Sequence, residues 1–319
     1  MASKGWMRLG RGIGAVALAA GLTLPASAAG AQESGAQESG PAPSLEARAV
    51  AEGMRFGFGM PKFLIVEQFA DWGGPVAEAV TGELDNHGFA SLPYPGDNGI
   101  GGPSTVAGVA GLPSPPSYPF YASSAYPSQP EASWGQDGWR LQAKSDDSST
   151  TALAQGGYAS SQAAVFGSSA TARTQRDADS GAVEAEAGSR VDGFRIGDAL
   201  SIGRVVSSAR SSRLSGGEAV RTSSFSFEGL SIGGHAVGFG PAGFVLADQK
   251  TPLPDSSPLL QALRAQGITL TYLAPVRRPD GVTSAGLSIT QTVKLPSGHV
   301  MHTTYTLGRS LAETVSLSA

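Results

Sequence analysis

The chain contains no cysteine. That absence excludes a disulfide scaffold, a thiolate nucleophile, a Cys-ligated metal site and a lipidated cysteine anchor. Positive charge is not in excess either. With 22 Lys+Arg against 26 Asp+Glu the net charge is −4, whereas a nucleic-acid binder needs a basic patch or stripe. Large apolar side chains are sparse. Leu, Ile, Val and Phe make up about a fifth of the residues, near the composition below which chains tend to stay disordered. Any core is therefore thin and built from small side chains. Beyond residue 28 no run is long and apolar enough to span a bilayer.

What is present begins with an export signal. Lys4, Arg8 and Arg11 precede an apolar stretch over residues 13–24, then Pro25 and the small residues Ala26-Ser27-Ala28. This is the layout of a secretory signal peptide cleaved after residue 28. A second small-residue site, Ala29-Gly30-Ala31, offers cleavage after 31. Removing residues 1–28 takes away three cations and no acid, so 19 positive charges face 26 negative and the mature chain carries −7. The expected location is outside the cell or at its envelope. Residues 29–50 hold the tandem Gly-Ala-Gln-Glu-Ser at 30–34 and 35–39 and read as a flexible linker.

Residues 51–134 read as a separate aromatic and proline-rich region. Met54, Phe56, Phe58 and Met60 alternate with Arg55, Gly57 and Gly59, and Phe63-Leu64-Ile65-Val66 reads as a buried strand. Residues 75–84 carry Val76, Ala79 and Val80 at helical spacing. Tyr94, Tyr118, Tyr121 and Tyr126 sit beside prolines, with Trp134 further along. These rings serve either as anchors for an irregular segment or as an aromatic ligand surface for a glycan or a partner.

Residues 135–319 read as a β-rich domain. Val183, Ala185 and Ala187 alternate with Glu184 and Glu186. Leu287, Ile289, Val293 and Leu295 share one parity, Pro296-Ser297-Gly298 turns the chain, and Met301, Tyr305, Leu307, Leu311, Val315 and Leu317 share one parity on the return. Such alternation marks an antiparallel hairpin with one solvated face. One helix is expected at 258–266, with Ser257 as cap, Pro258 in the first turn and Gly267 at the end. Residues 181–198 resemble 217–234 at an offset of 36: Val191-Asp192-Gly193-Phe194-Arg195-Ile196-Gly197 against Phe227-Glu228-Gly229-Leu230-Ser231-Ile232-Gly233. Each copy predicts a bend and then a half-buried strand. The fold class is mostly β: an antiparallel β-sandwich or β-roll of long Ala/Ser/Thr-rich strands with one short helix.

The signal peptide, the Ser/Ala/Thr-rich strands, the Gly-apolar-polar-Ile repeats and the segments 59–68 and 90–97 together resemble secreted Ala/Gly/Ser-rich β proteins of high-GC Gram-positive bacteria. That class has no established activity, so the resemblance transfers no functional residue.

Candidate chemistry is thin. Gly229-Leu230-Ser231-Ile232-Gly233 matches the nucleophile elbow of serine hydrolases, and Asp248 and His299 come later in hydrolase order. The residues after Ser231 read as a turn and a strand, where the elbow needs a helix. Asp177-Ala178-Asp179-Ser180-Gly181 resembles the start of a calcium loop, and it reads equally as a turn between strands. No cofactor is expected. The leading expectation is a non-catalytic, envelope-associated or extracellular module that binds an envelope polymer or another secreted protein through Tyr94, Tyr118, Tyr121, Tyr126 and Trp134. The alternatives are a hydrolase using Ser231, and an accessory factor offering a sheet edge to another secreted protein.

Overall fold

The computed structural model describes residues 44–61, 68–83, 85–95, 120–159, 163–246 and 252–317. The expected signal peptide, the repeats of residues 30–39, the strand at 63–66 and Tyr118 lie outside them. The chain opens with β1 (Ser44–Gly59), β2 (Gln68–Gly73), β3 (Val76–Thr81), β4 (Asn86–Ser91) and β5 (Tyr121–Tyr126). It then builds a whole second sheet: β6 (Glu131–Gln136), β7 (Trp139–Ser145), β8 (Ser149–Ala159), β9 (Ala163–Arg176), β10 (Val183–Ile196), β11 (Leu200–Arg213), β12 (Val220–Glu228), β13 (Ser231–Ile232), β14 (His235–Gly240) and β15 (Gly243–Leu246). After α1 (Pro258–Ala265) it returns to the first sheet as β16 (Ile268–Leu273), β17 (Val276–Arg278), β18 (Gly281–Thr283), β19 (Gly286–Lys294) and β20 (Val300–Leu317). Every strand pairing is antiparallel, and the main strand order of the first sheet is β16-β19-β20-β1-β3-β4-β5. The second sheet runs β15-β14-β13-β11-β10-β9-β8-β7-β6.

This topology corrects two boundaries. Residues 44–50, expected in the linker, form the first half of β1 with Leu45, Ala47 and Ala49 buried. The alternation there is Ala against Glu and Arg, and alanine carries too little apolar signal to stand out. The region 51–134 is not separate from the β-rich remainder of the chain. β1 pairs with β20 from Ser44↔Leu317 to Gly59↔His302, and with β3 from Ala47↔Thr81 to Glu52↔Val76. The helix expected at 75–84 is instead strand β3, where Ala77, Ala79 and Thr81 point inward at period two. The helix at 258–266 does form. Leu260 and Leu263 are buried, and Gly267 ends it in a left-handed conformation. Ser257 precedes it without a side-chain cap bond.

The sheets stack strand over strand, with β20, β1, β3 and β4 against β11, β10, β9 and β8. Cα atoms of β1 come within 8 Å of those of β9 and β10. Stacked sheets usually lie roughly 10 Å apart. Alanine makes the close approach possible: Ala47, Ala49, Ala51, Ala77 and Ala79 meet Ala154, Ala170, Ala172, Ala185 and Ala187 in one cluster. Buried hydroxyls join the same layer. Thr81 Oγ1 lies 2.7 Å from Thr174 Oγ1 and donates to Thr150 Oγ1 at 3.3 Å; Thr150 in turn donates to Ser145, which pairs with Ser124 at 2.7 Å. On the other side Ser207 bridges Ser189 and Ser310, and Ser211 pairs with Thr314 at 2.8 Å.

At the other end of the sandwich the core changes to large side chains, around Met54, Phe194, Ile202, Leu287, Ile289 and Leu307. Opposed glycines mark the change. Gly53 and Gly308 stand between the Glu52↔Arg309 and Met54↔Leu307 pairs, and Gly193 and Gly203 between Asp192↔Arg204 and Phe194↔Ile202. The inward parity switches at each. In β20 Tyr305 and Leu307 face the core, but beyond Gly308 the inward residues are Ser310, Ala312 and Thr314. Leu311, Val315 and Leu317, expected on the inner face, lie on the outer one. Both repeat copies flank β11, and the paired glycines adopt matching positive φ: 67° and 69° at Gly193 and Gly229, 48° and 54° at Gly197 and Gly233.

Two substitutions test this packing. Thr81→Val keeps shape and removes one hydroxyl, leaving Thr174 without its bridge, so urea unfolding should show a loss of about 1–3 kcal/mol. Ala187→Leu should cost at least as much, because overpacking forces the sheets apart; wild-type stability in both variants would contradict the tight layer. Glu52 is a buried acid beside this parity switch. Burial pushes its carboxyl above the ordinary range, against the pull of Arg55, whose Nη1 donates to it at 3.0 Å. An acid whose folded-state pKa is raised contributes stability below the unfolded value of about 4.3 and loses it as pH rises. Between pH 4 and pH 7 the unfolding midpoint should therefore fall more steeply for the wild type than for Glu52→Gln.

Candidate functional site

With both inner faces consumed by packing, function falls to outer faces and edges. The outer face of the second sheet carries two adjoining depressions. The larger, about 980 Å³, runs over Arg140, Gln142, Gln155, Phe166, Arg190 and Asp192. A smaller depression of about 500 Å³ adjoins it at Gln142 and extends past Lys144, Thr151, Arg173 and Glu186. Strand pairing explains the alignment. Gly135, Arg140, Gln155, Ser169 and Arg190 form one cross-strand row, and Ser133, Gln142, Leu153, Thr171 and Gly188 the next. The glycines lower the floor while the longer polar side chains line it.

Phe166 is the outlier of this face, 73% exposed. It lies where β8 and β9 slip register between Gly156 and Tyr158. Its ring lies across Gly193, where a Cβ would overlap the ring edge. The Arg195 guanidinium stands 5.7 Å from the ring centroid, within cation–π range. The ring is thus held over β10 by Gly193 and Arg195 with most of its surface exposed. Beside it Asp192 accepts from Arg190 Nε at 2.6 Å and Arg204 Nε at 2.8 Å. The hydrogen bond from Arg190, joined by that from Arg204, holds the Asp192 carboxyl below its usual range against slight burial.

The expected binding residues are divided. Trp134 borders the groove. By register it stands opposite Leu141, but β6 is the last strand of its sheet and the ring is 57% exposed. Tyr94 and Tyr121 lie with the other sheet, packed on Phe89 at ring distances of 5.5 and 5.9 Å. They act as anchors there. Tyr126 is exposed at the end of β5. Phe166, Arg140, Gln142 and Gln155 were not legible as a site. Phe166 next to Gly167 in an Ala/Ser run is the one signal the sequence offers.

Ser231 lies on β13, and β14 comes next where an elbow needs a helix. Its Oγ pairs with Ser201 Oγ at 2.8 Å. His302 Nδ1 pairs with Thr292 Oγ1 at 2.9 Å in the other sheet, His299 sits in the β19–β20 turn, and Asp248 lies outside the described residues. Asp177 Oδ1 accepts from Ser180 N at 2.8 Å, Ser180 Oγ at 2.8 Å and Asp179 N at 3.1 Å, so it closes the β9–β10 turn. Those Ser180 donors hold its carboxyl below the ordinary range. Asp179 supplies its backbone to that turn. Among the described residues no three acidic or histidine side chains are grouped to hold a metal ion, and no helix is long and apolar enough to cross a membrane.

No protein-family model, no curated protein and no solved structure matches the chain.

The presentation of Phe166 depends on Gly193, at φ 67°. Gly193→Ala places a Cβ against the ring and strains the backbone. Its unfolding free energy should fall by about 1–3 kcal/mol. A variant as stable as the wild type would mean that the ring does not lie over this strand.

Proposed function

We propose that the protein is an exported, non-catalytic binding module that holds an extended polymer of the cell envelope along the outer face of its second sheet. The observation that carries this reading is the exposed Phe166 ring beside a depression lined by Arg140, Gln142 and Gln155, with a second depression adjoining it at Gln142. A flat aromatic face gives a sugar ring apolar contact, while amides and guanidinium groups supply hydrogen bonds to hydroxyls. The depression is long and open, which suits a chain rather than an enclosed small molecule. Its residues stand on paired strands, so the site is preformed and little ordering cost accompanies binding. The signal-peptide pattern supports the same destination.

The test is co-sedimentation of the exported chain with purified peptidoglycan and wall polysaccharide, with the supernatant assayed for released fragments. Binding without release is expected, and Phe166→Ala should weaken it about tenfold, the order of a buried aromatic contact. Changing Tyr121 to Ala should leave affinity within about twofold, since its ring is spent on Phe89. Release of fragments, or loss of binding in the Tyr121 variant alone, would overturn the reading.

A further inference from the structure

Resting on that reading of the groove, we infer that its ligand is an anionic glycan polymer, whose oxyanions seat on Arg140 and Lys144 along β7. Most cations of this face are already engaged. Arg190 and Arg204 bind Asp192, Arg210 binds Glu184 at 2.8 Å, and Arg173 donates to Gln175. Arg140, Gln142 and Lys144 differ: among the described residues their side chains make no hydrogen bond or ion pair. Gln155, directly opposite Arg140, is equally unspent.

These side chains share one face of one strand. At about 3.4 Å per residue, positions 140, 142 and 144 are spaced by roughly 7 Å, so the two cationic positions lie about 14 Å apart with an amide between them. Arg140 has bare Gly135 as its other neighbour, which leaves its guanidinium room to receive a ligand. The fork of five N–H donors fits a carboxylate or phosphate in two-point contact. Lys144 contributes a second positive charge further along, and Glu131 stands opposite it without an ion pair. Unspent cations on an exported chain of net charge −7 select for anions locally while the rest of the surface repels them. A row of cation, amide and cation spanning the junction of the two depressions fits a polymer with charges repeating along its length. A single small anion would use only one end of the row.

Carboxylates and phosphodiesters share this chemistry, and the experiment separates them. The exported chain is titrated with intact wall polymer, with the polymer after carbodiimide amidation of its carboxylates, and with the polymer stripped of phosphodiesters by hydrofluoric acid. One treatment should lower affinity at least tenfold and so name the group. Arg140→Gln should lower affinity for the intact polymer by a similar factor and lose little more on the treated polymer. Arg140→Lys should recover part of the loss, and Lys144→Gln should reduce the dependence on salt. Equal binding of all three polymers, or an unchanged Arg140→Gln, overturns the anionic ligand and leaves the groove as a glycan site. Absence of binding to all three overturns the groove reading as well.

Discussion

The close contact of two sheets through small residues sets everything else in this protein. Alanine faces let backbones approach within 8 Å, and at that distance serine and threonine hydroxyls reach across and pair. A buried hydroxyl without a partner is costly, so each pair fixes the register of one sheet on the other. Leucine or phenylalanine at the same positions would satisfy burial but not this spacing. A chain poor in large apolar side chains thereby builds a core through fit and hydrogen bonding. Beyond Gly53, Gly193, Gly203 and Gly308 the inward parity shifts, and the large residues that remain form a cluster of their own.

The same constraint leaves the second sheet free to function. Its inward positions are taken up by core packing, small over most of β8 to β10 and large around Phe194 and Ile202, and the outward positions of β7 to β10 carry Arg, Gln, Lys, Glu and Phe166. The strands β7 to β10 are long and regularly paired, so these side chains form straight rows. A register slip at Gly156 to Tyr158 places Phe166 over Gly193, where the parity of β10 switches. Regular packing inside and one slip at the surface together produce a lined trough with an aromatic face.

Much of the architecture was legible because alternation survives even with alanine as the apolar partner. β10 with Val183, Ala185 and Ala187, the β19–β20 hairpin, and α1 with its proline start and glycine stop all form as their local pattern dictates. The repeat was legible too, and matched glycines give its copies the same bends. Three features were hidden for physical reasons. The start of β1 reads as linker because Ala beside Glu and Arg gives little contrast. The parity of β20 reverses at Gly308, which a strict period of two cannot register. The groove consists of ordinary outward polar residues, and Phe166 owes its exposure to a glycine 27 positions away (from 166 to 193). The tyrosines drew attention by their proline neighbours, yet Tyr94 and Tyr121 spend their rings on Phe89.

The most direct measurement is hydroxyl-radical footprinting of the protein, alone and with wall polymer, read residue by residue. If the outer face of the second sheet holds the polymer, Phe166 loses reactivity on binding, while Trp72, Tyr121 and Tyr126 keep theirs. Protection of Tyr121 and Tyr126 with Phe166 unchanged would contradict the account and move the binding surface to the other sheet.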